Sequence, residues 1–324
     1  MTLDPVTLDP VTLDGLPRID EAALRQLVPP AAAVDALEQA LRDGFDPAGD
    51  APRSIVPVPS GQILSMPSSW GDFAGTKLIT LAPGNPSAGL PRIHGIYLLL
   101  DGATLRPIAL LDGAALTTLR TPAVSALGVR HLAPPSVDRL VVFGTGPQAA
   151  AHVEALRAVR DVGEVLVVGR TAARVDEVLS ALAAGGVPAR SGTPEDVATA
   201  DVVVCATAAR SPLFDGGLVR GGQLVVAIGS HEPDAAEVDA DLVGRSAVVV
   251  EDRATALREA GDVVRAVAAG TIDAEALIPL ADVVRGEAVL PAEGPRLFKS
   301  VGMSWEDLVI AAAAYTALRA SRRG

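Results

Sequence analysis

The chain has 324 residues, room for two ordinary domains. Its formal net charge is −12, with 39 acidic against 27 basic residues, and only 3% of residues are aromatic. A surface this acidic repels phosphate backbones, and one this poor in aromatics lacks base-stacking platforms, so a nucleic-acid partner is not expected.

The single cysteine, Cys205, rules out an intrachain disulfide and a cysteine-rich metal site. The four histidines are scattered without metal-ligand spacing, so no metal is expected. No run reaches the 18 or more apolar residues of a membrane span, and the richest stretch, Leu308 to Ala320, is interrupted by Tyr315 and Arg319. No basic and then apolar leader opens the chain, and a reducing, cytoplasmic setting is expected.

Residues 2–16 repeat a five-residue unit, TLDPV, TLDPV, TLDGL, too short and too proline-rich for a solenoid. A flexible leader over residues 1–16 is expected. Apolar spacing predicts helices over Asp20–Leu27 and Ala31–Leu41. A β-rich section follows, with strands expected at Ser54–Pro57, Gln62–Met66, Thr76–Leu81, Ile96–Leu100 and Ile108–Leu111. Strands this close together, with no helix between them, do not build βαβ units. A helical pattern from Ala114 to about His131 leads out of the section.

From Asp138 the pattern changes. Apolar runs at Leu140–Phe143, Val165–Val168, Val202–Cys205, Leu224–Ile228 and Ala247–Val250 read as strands. Helical patterns at Gln148–Val159 and Arg174–Ala184 alternate with the first of them. That alternation predicts a parallel sheet covered on both faces, a doubly wound α/β Rossmann domain. A last helix opens at Ser304, where Ser-Trp-Glu-Asp resembles a capping box with Asp307 in the acidic place. It stands apart from the α/β alternation and is expected to fold back on the N-terminal section.

The strongest local motif is Gly144-Thr145-Gly146-Pro147-Gln148-Ala149, placed between a strand and a helix. The first glycine permits the tight turn, the second lets backbone approach a pyrophosphate, and Ala149 keeps helix and strand close. These six residues are the expected dinucleotide cradle. An NAD site usually ends the next strand with an acidic residue, but this chain reads Val168-Gly169-Arg170-Thr171, with Arg174 one turn on. A guanidinium and a hydroxyl suit a 2′-phosphate, so NADP(H) is favoured and NAD(H) remains open. The alternative is that Arg170 is a solvated strand-end arginine.

Several segments together resemble the ornithine cyclodeaminase/mu-crystallin family. They are Lys77-Leu78-Ile79-Thr80, Asn85-Pro86, Gly89-Leu90-Pro91, Leu111-Asp112-Gly113, and Leu119-Arg120-Thr121 running on to Val124-Ser125-Ala126. The glycine turn follows, then Gly229-Ser230 with Pro233, Glu237 and Asp239. Glu259-Ala260-Gly261-Asp262 and Phe298-Lys299-Ser300-Val301-Gly302-Met303 complete the set. The resemblance runs from Arg53 to the C-terminus. It implies a Rossmann domain, residues 126–303, joined to a discontinuous α+β domain, residues 17–125 and 304–324, that binds substrate and forms a homodimer. The apolar strands of that second domain, with few covering helices, point to the same dimer.

The resemblance also implies nicotinamide chemistry at a carbon bearing an amine or imine beside a carboxylate. The family's carboxylate-binding cations carry over to Arg53, Lys77 and Arg120, where forks and a mobile charge would fix an α-imino acid. Without the family, Arg53 and Arg120 read equally well as surface residues, whereas Lys77 inside an apolar strand is unusual. Thr207, Ser230, Val301 and Gly302 join the expected cofactor contacts. Cyclodeaminases of the family carry Asp two residues before the proline matched to Pro233; here that place holds His231. A histidine can move protons near neutral pH, or merely pack near the cofactor. His94 is read as structural.

The expected function is an NAD(P)H-dependent reductase of small α-imino acids, with Lys77 or His231 supplying the proton. The runners-up are an ornithine or lysine cyclodeaminase, or an alanine dehydrogenase-like enzyme. A non-catalytic ligand-binding protein of the mu-crystallin kind is the alternative of another class.

Overall fold

Strict alternation of side chains drives the first sheet. In the computed structural model, which describes residues 15–322, strand β1 (Arg18–Ile19) precedes helices α1 (Glu21–Leu27) and α2 (Pro30–Arg42). Strands β2 (Ser54–Val58), β3 (Gly61–Trp70), β4 (Phe73–Leu81), β5 (Ile93–Asp101) and β6 (Pro107–Asp112) complete a six-stranded sheet, ordered β1-β6-β5-β4-β3-β2. The leader expected over residues 1–16 lies, up to Asp14, outside the described residues.

β3 to β5 outrun the stretches of clear alternation that mark them in the sequence. β3 continues through Pro67, opposite Thr76 of β4, although proline is a strand breaker. β2 stops pairing at Ser65, so that side of Pro67 is an edge where no N–H donor is needed. Leu64, Met66, Lys77, Ile79, Tyr97 and Leu99 face inward and are buried. Val56, Ile63, Leu78 and Ile96 face outward and are exposed, as a period of two requires.

Helix α3 (Gly113–Leu132), capped by the Asp112 carboxylate on the N–H groups of Ala114 and Ala115, covers the inner face against β5. The boundary expected between residues 125 and 126 falls inside this continuous helix.

The second sheet is wholly parallel. β7 (Ser136–Phe143), α4 (Pro147–Arg157), β8 (Asp161–Val168), α5 (Ala172–Ala184) and β9 (Ala189–Ser191) form one wing. β10 (Val202–Cys205), β11 (Leu224–Ala227), α6 (Ala240–Arg245), β12 (Ala247–Val250), α7 (Arg253–Glu259), α8 (Gly261–Ala268), β13 (Ile278–Pro279), α9 (Leu280–Arg285) and β14 (Arg296–Lys299) form the other. The order is β13-β12-β14-β11-β10-β7-β8-β9. The direction of winding reverses between β7 and β10, which opens a crevice at their carboxyl ends, where α/β sheets bind ligands.

β14 is absent from the sequence reading. Its four residues, Arg-Leu-Phe-Lys, carry no β-branched run, yet they pair with both β11 and β12. That insertion carries residues 300–303 to the same edge as the crevice. A Cβ on Gly128 of α3 would stand 2.8 Å from the Phe298 ring, so α3 lies directly on β14 and locks the two sheets together. Helix α10 (Ser304–Ser321) then packs on β3 and β4. Among the described residues, no helix is long and apolar enough to cross a membrane.

Candidate functional site

The crevice is built by glycine. Gly144 has φ +126, and a Cβ there would meet the Ala206 carbonyl oxygen at 2.4 Å, so β7 can turn this tightly beside β10 only without a side chain. Gly146 is the N-cap of α4 and has no side-chain cap, Pro147 opens the helix, and space lies open where a Cβ of Gly146 would point. Pro147 has no N–H and the Ala149 N–H donates to the Gly146 carbonyl at 3.0 Å, which leaves the Gln148 N–H at the open helix end for an anion. Ala149 is fully buried, close against the sheet, and Gln148 Nε2 reaches toward the Thr117 carbonyl at 3.5 Å.

A cleft of about 570 Å³ runs from this turn past Thr145 and Arg170 to Thr207. A glycine cradle, an uncapped helix end and an elongated cleft fit a dinucleotide. Thr171 is the N-cap of α5, beside Arg170. Arg174 lies outside the cleft lining and pairs with Glu177 at 2.9 Å on the helix surface. Ser230 is turned inward, donating to the Ala235 carbonyl at 2.6 Å.

The expected substrate cations converge from distant segments, and each already holds a carboxylate of the chain. Lys77 Nζ, buried on β4, lies 2.8 Å and 2.9 Å from the two oxygens of Asp307 and 3.1 Å from Thr117 Oγ1. Burial pulls its pKa down to about 8, against the opposing pull of Asp307. Arg120 Nη1 donates to Glu306 Oε2 at 2.8 Å, while its Nε lies 3.5 Å from Asp307 Oδ1 in a longer ion pair. Burial, with Glu251 alongside, pushes the Glu306 carboxyl well above the ordinary carboxylate range.

Arg53 Nη2 lies 2.9 Å from Glu259 and donates to the carbonyls of Val301 at 3.0 Å and Gly302 at 2.6 Å. Glu251 takes the N–H groups of the same two residues, at 2.8 Å and 3.1 Å, and the Ser300 hydroxyl at 2.7 Å. The turn after β14 is thus held from both sides.

A second cavity, of about 390 Å³, has Arg53, His231 and Glu259 on one side and Ile55, Leu64 and Leu81 on another. His231 accompanies Arg53 there, with Nδ1 3.2 Å from the Gly229 carbonyl. The imidazole is crowded although the residue still reaches solvent. Crowding and the Arg53 charge lower its pKa. Lys77 and Arg120 lie buried behind this cavity rather than on its lining.

The carboxylates Glu251, Glu259, Glu306 and Asp307 escaped the sequence reading as site residues. Glu259 stood inside a quoted motif, and Asp307 read as the helix-capping acid. The capping expectation needs correction. Met303, not Ser304, is the N-cap, its N–H donates to Glu306 at 3.2 Å, and Asp307 turns to Lys77. Sequence spacing could not separate two adjacent acids. Their partners lie on α3 and β4.

The quoted residues Glu237, Asp262 and Lys299 join as well. Glu237 accepts from Thr207 N at 2.8 Å, Thr207 Oγ1 at 2.7 Å and Gly229 N at 2.6 Å, tying the ends of β10 and β11. Asp262 accepts from the N–H groups of Glu237 and Val238 and lies 3.0 Å from Lys299 Nζ. These three buried groups brace the strand ends beside Thr207.

The chain is similar to known proteins along most of its length. A 39% identical relative over 277 residues, spanning 84% of this chain and 86% of its own length, is a Δ(1)-pyrroline-2-carboxylate reductase of Burkholderia ambifaria. The ketimine reductase mu-crystallin of Rattus norvegicus is 34% identical over 267 residues, 81% of this chain and 83% of its own. The solved structure of Thermococcus litoralis Δ(1)-pyrroline-2-carboxylate reductase, in complex with NADH and L-proline, superposes with a TM-score of 0.88 at 28% identity. It covers 94% of this chain and 98% of that one. The sequence model of the ornithine cyclodeaminase/mu-crystallin family matches residues 22–322, and the chain belongs to that family.

Proposed function

We propose that this protein is an NAD(P)H-dependent oxidoreductase that reduces a small cyclic α-imino acid, of the ketimine or Δ1-pyrroline-2-carboxylate type, to the amino acid. The observation that carries the reading is the gathering of three cations next to the turn that follows β14: Arg53 and Arg120 both meet Gly302, and Lys77 shares Asp307 with Arg120. The similarity to pyrroline-carboxylate and ketimine reductases supports the same reaction.

When bound, the nicotinamide supplies a hydride to the imine carbon. The chain's part is to hold and to protonate. The Arg53 guanidinium on the cavity wall is the donor for the substrate carboxylate, and Arg120, paired with Glu306 and Asp307 behind it, adds its positive charge. Of the three N–H groups of Lys77, Asp307 and Thr117 take two, and the third is left for the imine nitrogen. Ile55, Leu64 and Leu81 offer the ring carbons an apolar wall. His231 stands at the cavity as a proton relay to solvent.

NADPH is the preferred cofactor, supported by Arg170 on the cleft lining and the absence of an acidic residue at the tip of β8. The exposed apolar face of Val56, Ile63, Leu78 and Ile96 supports a homodimer formed through the six-stranded sheet. Assay of cyclic ketimines, pyruvate with amine, and ornithine, each with NADPH and NADH, tests the function. Turnover of ornithine with no turnover of cyclic imines would overturn it.

A further inference from the structure

Lysine occurs at two positions in the whole chain, 77 and 299; every other one of the 27 basic residues is arginine. Both lysines are buried against an aspartate, Lys77 on Asp307 and Lys299 on Asp262. Where this chain needs only a permanent positive charge it uses arginine, including Arg120, which is buried among the same acids. Beside Asp307 it has the cation that can release a proton.

Lys77 is surrounded on every side. Asp307 and Glu306 come from α10, Arg120 and the Thr117 hydroxyl from α3, and Tyr97 stands opposite Lys77 on β5. Met66, opposite it on β3, is apolar. Within this shell Asp307 touches Nζ with both oxygens, at 2.8 Å and 2.9 Å, and meets Arg120 Nε only at 3.5 Å, whereas Glu306 is spent on Arg120 Nη1 and the Met303 N–H. Asp307 caps nothing, although it lies in the first turn of α10. No helix end requires it there.

We propose that Asp307 is a positioning residue for the reaction: it fixes Lys77 Nζ and keeps it as an ammonium, so that its third N–H is presented to the imine nitrogen. This rests on the reading of Lys77 as the proton donor. As hydride adds to the imine carbon, the C=N π electrons take the Lys77 proton, new C–H and N–H bonds form, and Lys77 is left as the neutral amine. Reprotonation from solvent then restores the ammonium beside Asp307. Without the Asp307 charge, burial and Arg120 would both act to discharge Lys77 early.

The test is the pH dependence of kcat/KM for a cyclic imino acid, in the native enzyme and in Asp307→Asn, whose amide keeps the shape and removes the charge. The basic limb of the variant should fall by about one pH unit or more. Its activity near pH 8 should then drop by more than about tenfold, and near pH 6 by only a few-fold. Asp307→Glu should return the limb toward its native position. A variant limb that coincides with the native one, whatever the absolute rate, overturns the proposal.

With two lysines in the chain, lysine labelled at Cε gives two side-chain NMR signals, assigned by Lys299→Met. The Lys77 midpoint should fall in Asp307→Asn, or in Asp307→Ser should the amide variant not fold. An unchanged midpoint overturns the role of Asp307. If the native enzyme reduces no cyclic imino acid, the reaction is misread, and the labelled signal still reports whether Asp307 governs the Lys77 charge.

Discussion

Gly302 lies directly beneath Arg120: a Cβ on Gly302 would stand 2.2 Å from Nη1 of that guanidinium, and its φ of +78 already excludes an unstrained side chain. The guanidinium cannot simply move aside, because the same Nη1 is bound to Glu306 at 2.8 Å. Gly302→Ala should therefore cost about 1–3 kcal/mol in backbone strain. A further ~1.5–3 kcal/mol follows from loosening a charged hydrogen bond. Urea unfolding should show the stability loss, and kcat/KM toward a cyclic imine should fall with it. A variant as stable and as active as the parent would mean that Arg120 is not seated as described.

Removal of Lys77 should separate chemistry from cofactor binding. A charge-assisted hydrogen bond contributes about 1.5–3 kcal/mol, so Lys77→Ala should lower kcat/KM by roughly ten- to a hundredfold. General acid catalysis adds about two to four orders of magnitude if Lys77 is the donor. NADPH affinity, set at the Gly144 turn, should stay within about threefold by calorimetry, since Lys77 meets that turn only indirectly, through Thr117 and the long 3.5 Å contact of Gln148. Stability should fall by about 3 kcal/mol, because buried Asp307 is left with only the longer ion pair to Arg120. His231→Asn alongside decides the donor: a small effect there with a very large one at Lys77 assigns the acid to Lys77.

Cofactor choice should turn on Arg170. Arg170→Asp should weaken NADPH by about tenfold or more, the loss of one charge-assisted contact, and spare or improve NADH. Arg174, occupied by Glu177 and outside the cleft lining, should matter less. Calorimetry on the parent protein that finds NADH binding at least as tightly as NADPH removes the assignment.

His152 makes stability depend on acidity. It is buried between α3 and α4, with Nε2 3.0 Å from Ser125 Oγ and Nδ1 2.8 Å from the Gln148 carbonyl, a pattern that suits the neutral ring. Burial lowers its pKa to about 4, below the 6.5 of the unfolded chain. The unfolded state thus binds more protons between these values, and stability is present above pH 6.5 and lost as pH falls toward 4. The full effect is on the order of 3 kcal/mol. Replacing His152 with Gln should flatten this part of the thermal-unfolding profile; an unaltered acid slope would assign the loss to other groups.

The outer face of the six-stranded sheet should hold two copies together. Light scattering at micromolar concentration should give twice the chain mass, and Leu78→Asp with Ile96→Asp should halve it by placing charges on the adjoining exposed pair. A monomeric parent protein would remove the dimer.

The sequence by itself determined the elements whose signal is local. The β-branched runs Leu140–Phe143 and Val202–Cys205, the glycine pair at 144 and 146, and the Asp112 cap announce themselves because burial periodicity and backbone freedom act within a few residues. Lys77 and Arg120 were legible as unusual or family-matched residues, but their partners were not. Only the tertiary structure decided that Asp307 meets Lys77 from 230 residues away, that Glu306 rather than Asp307 caps α10, and that Arg53 grips the Val301–Gly302 turn. It also decided that four residues with two basic side chains, Arg296–Lys299, form a central strand. The reason is physical. A charge's partner depends on which elements pack together, and packing is settled by surfaces buried far apart in sequence, which no spacing of residues along the chain encodes.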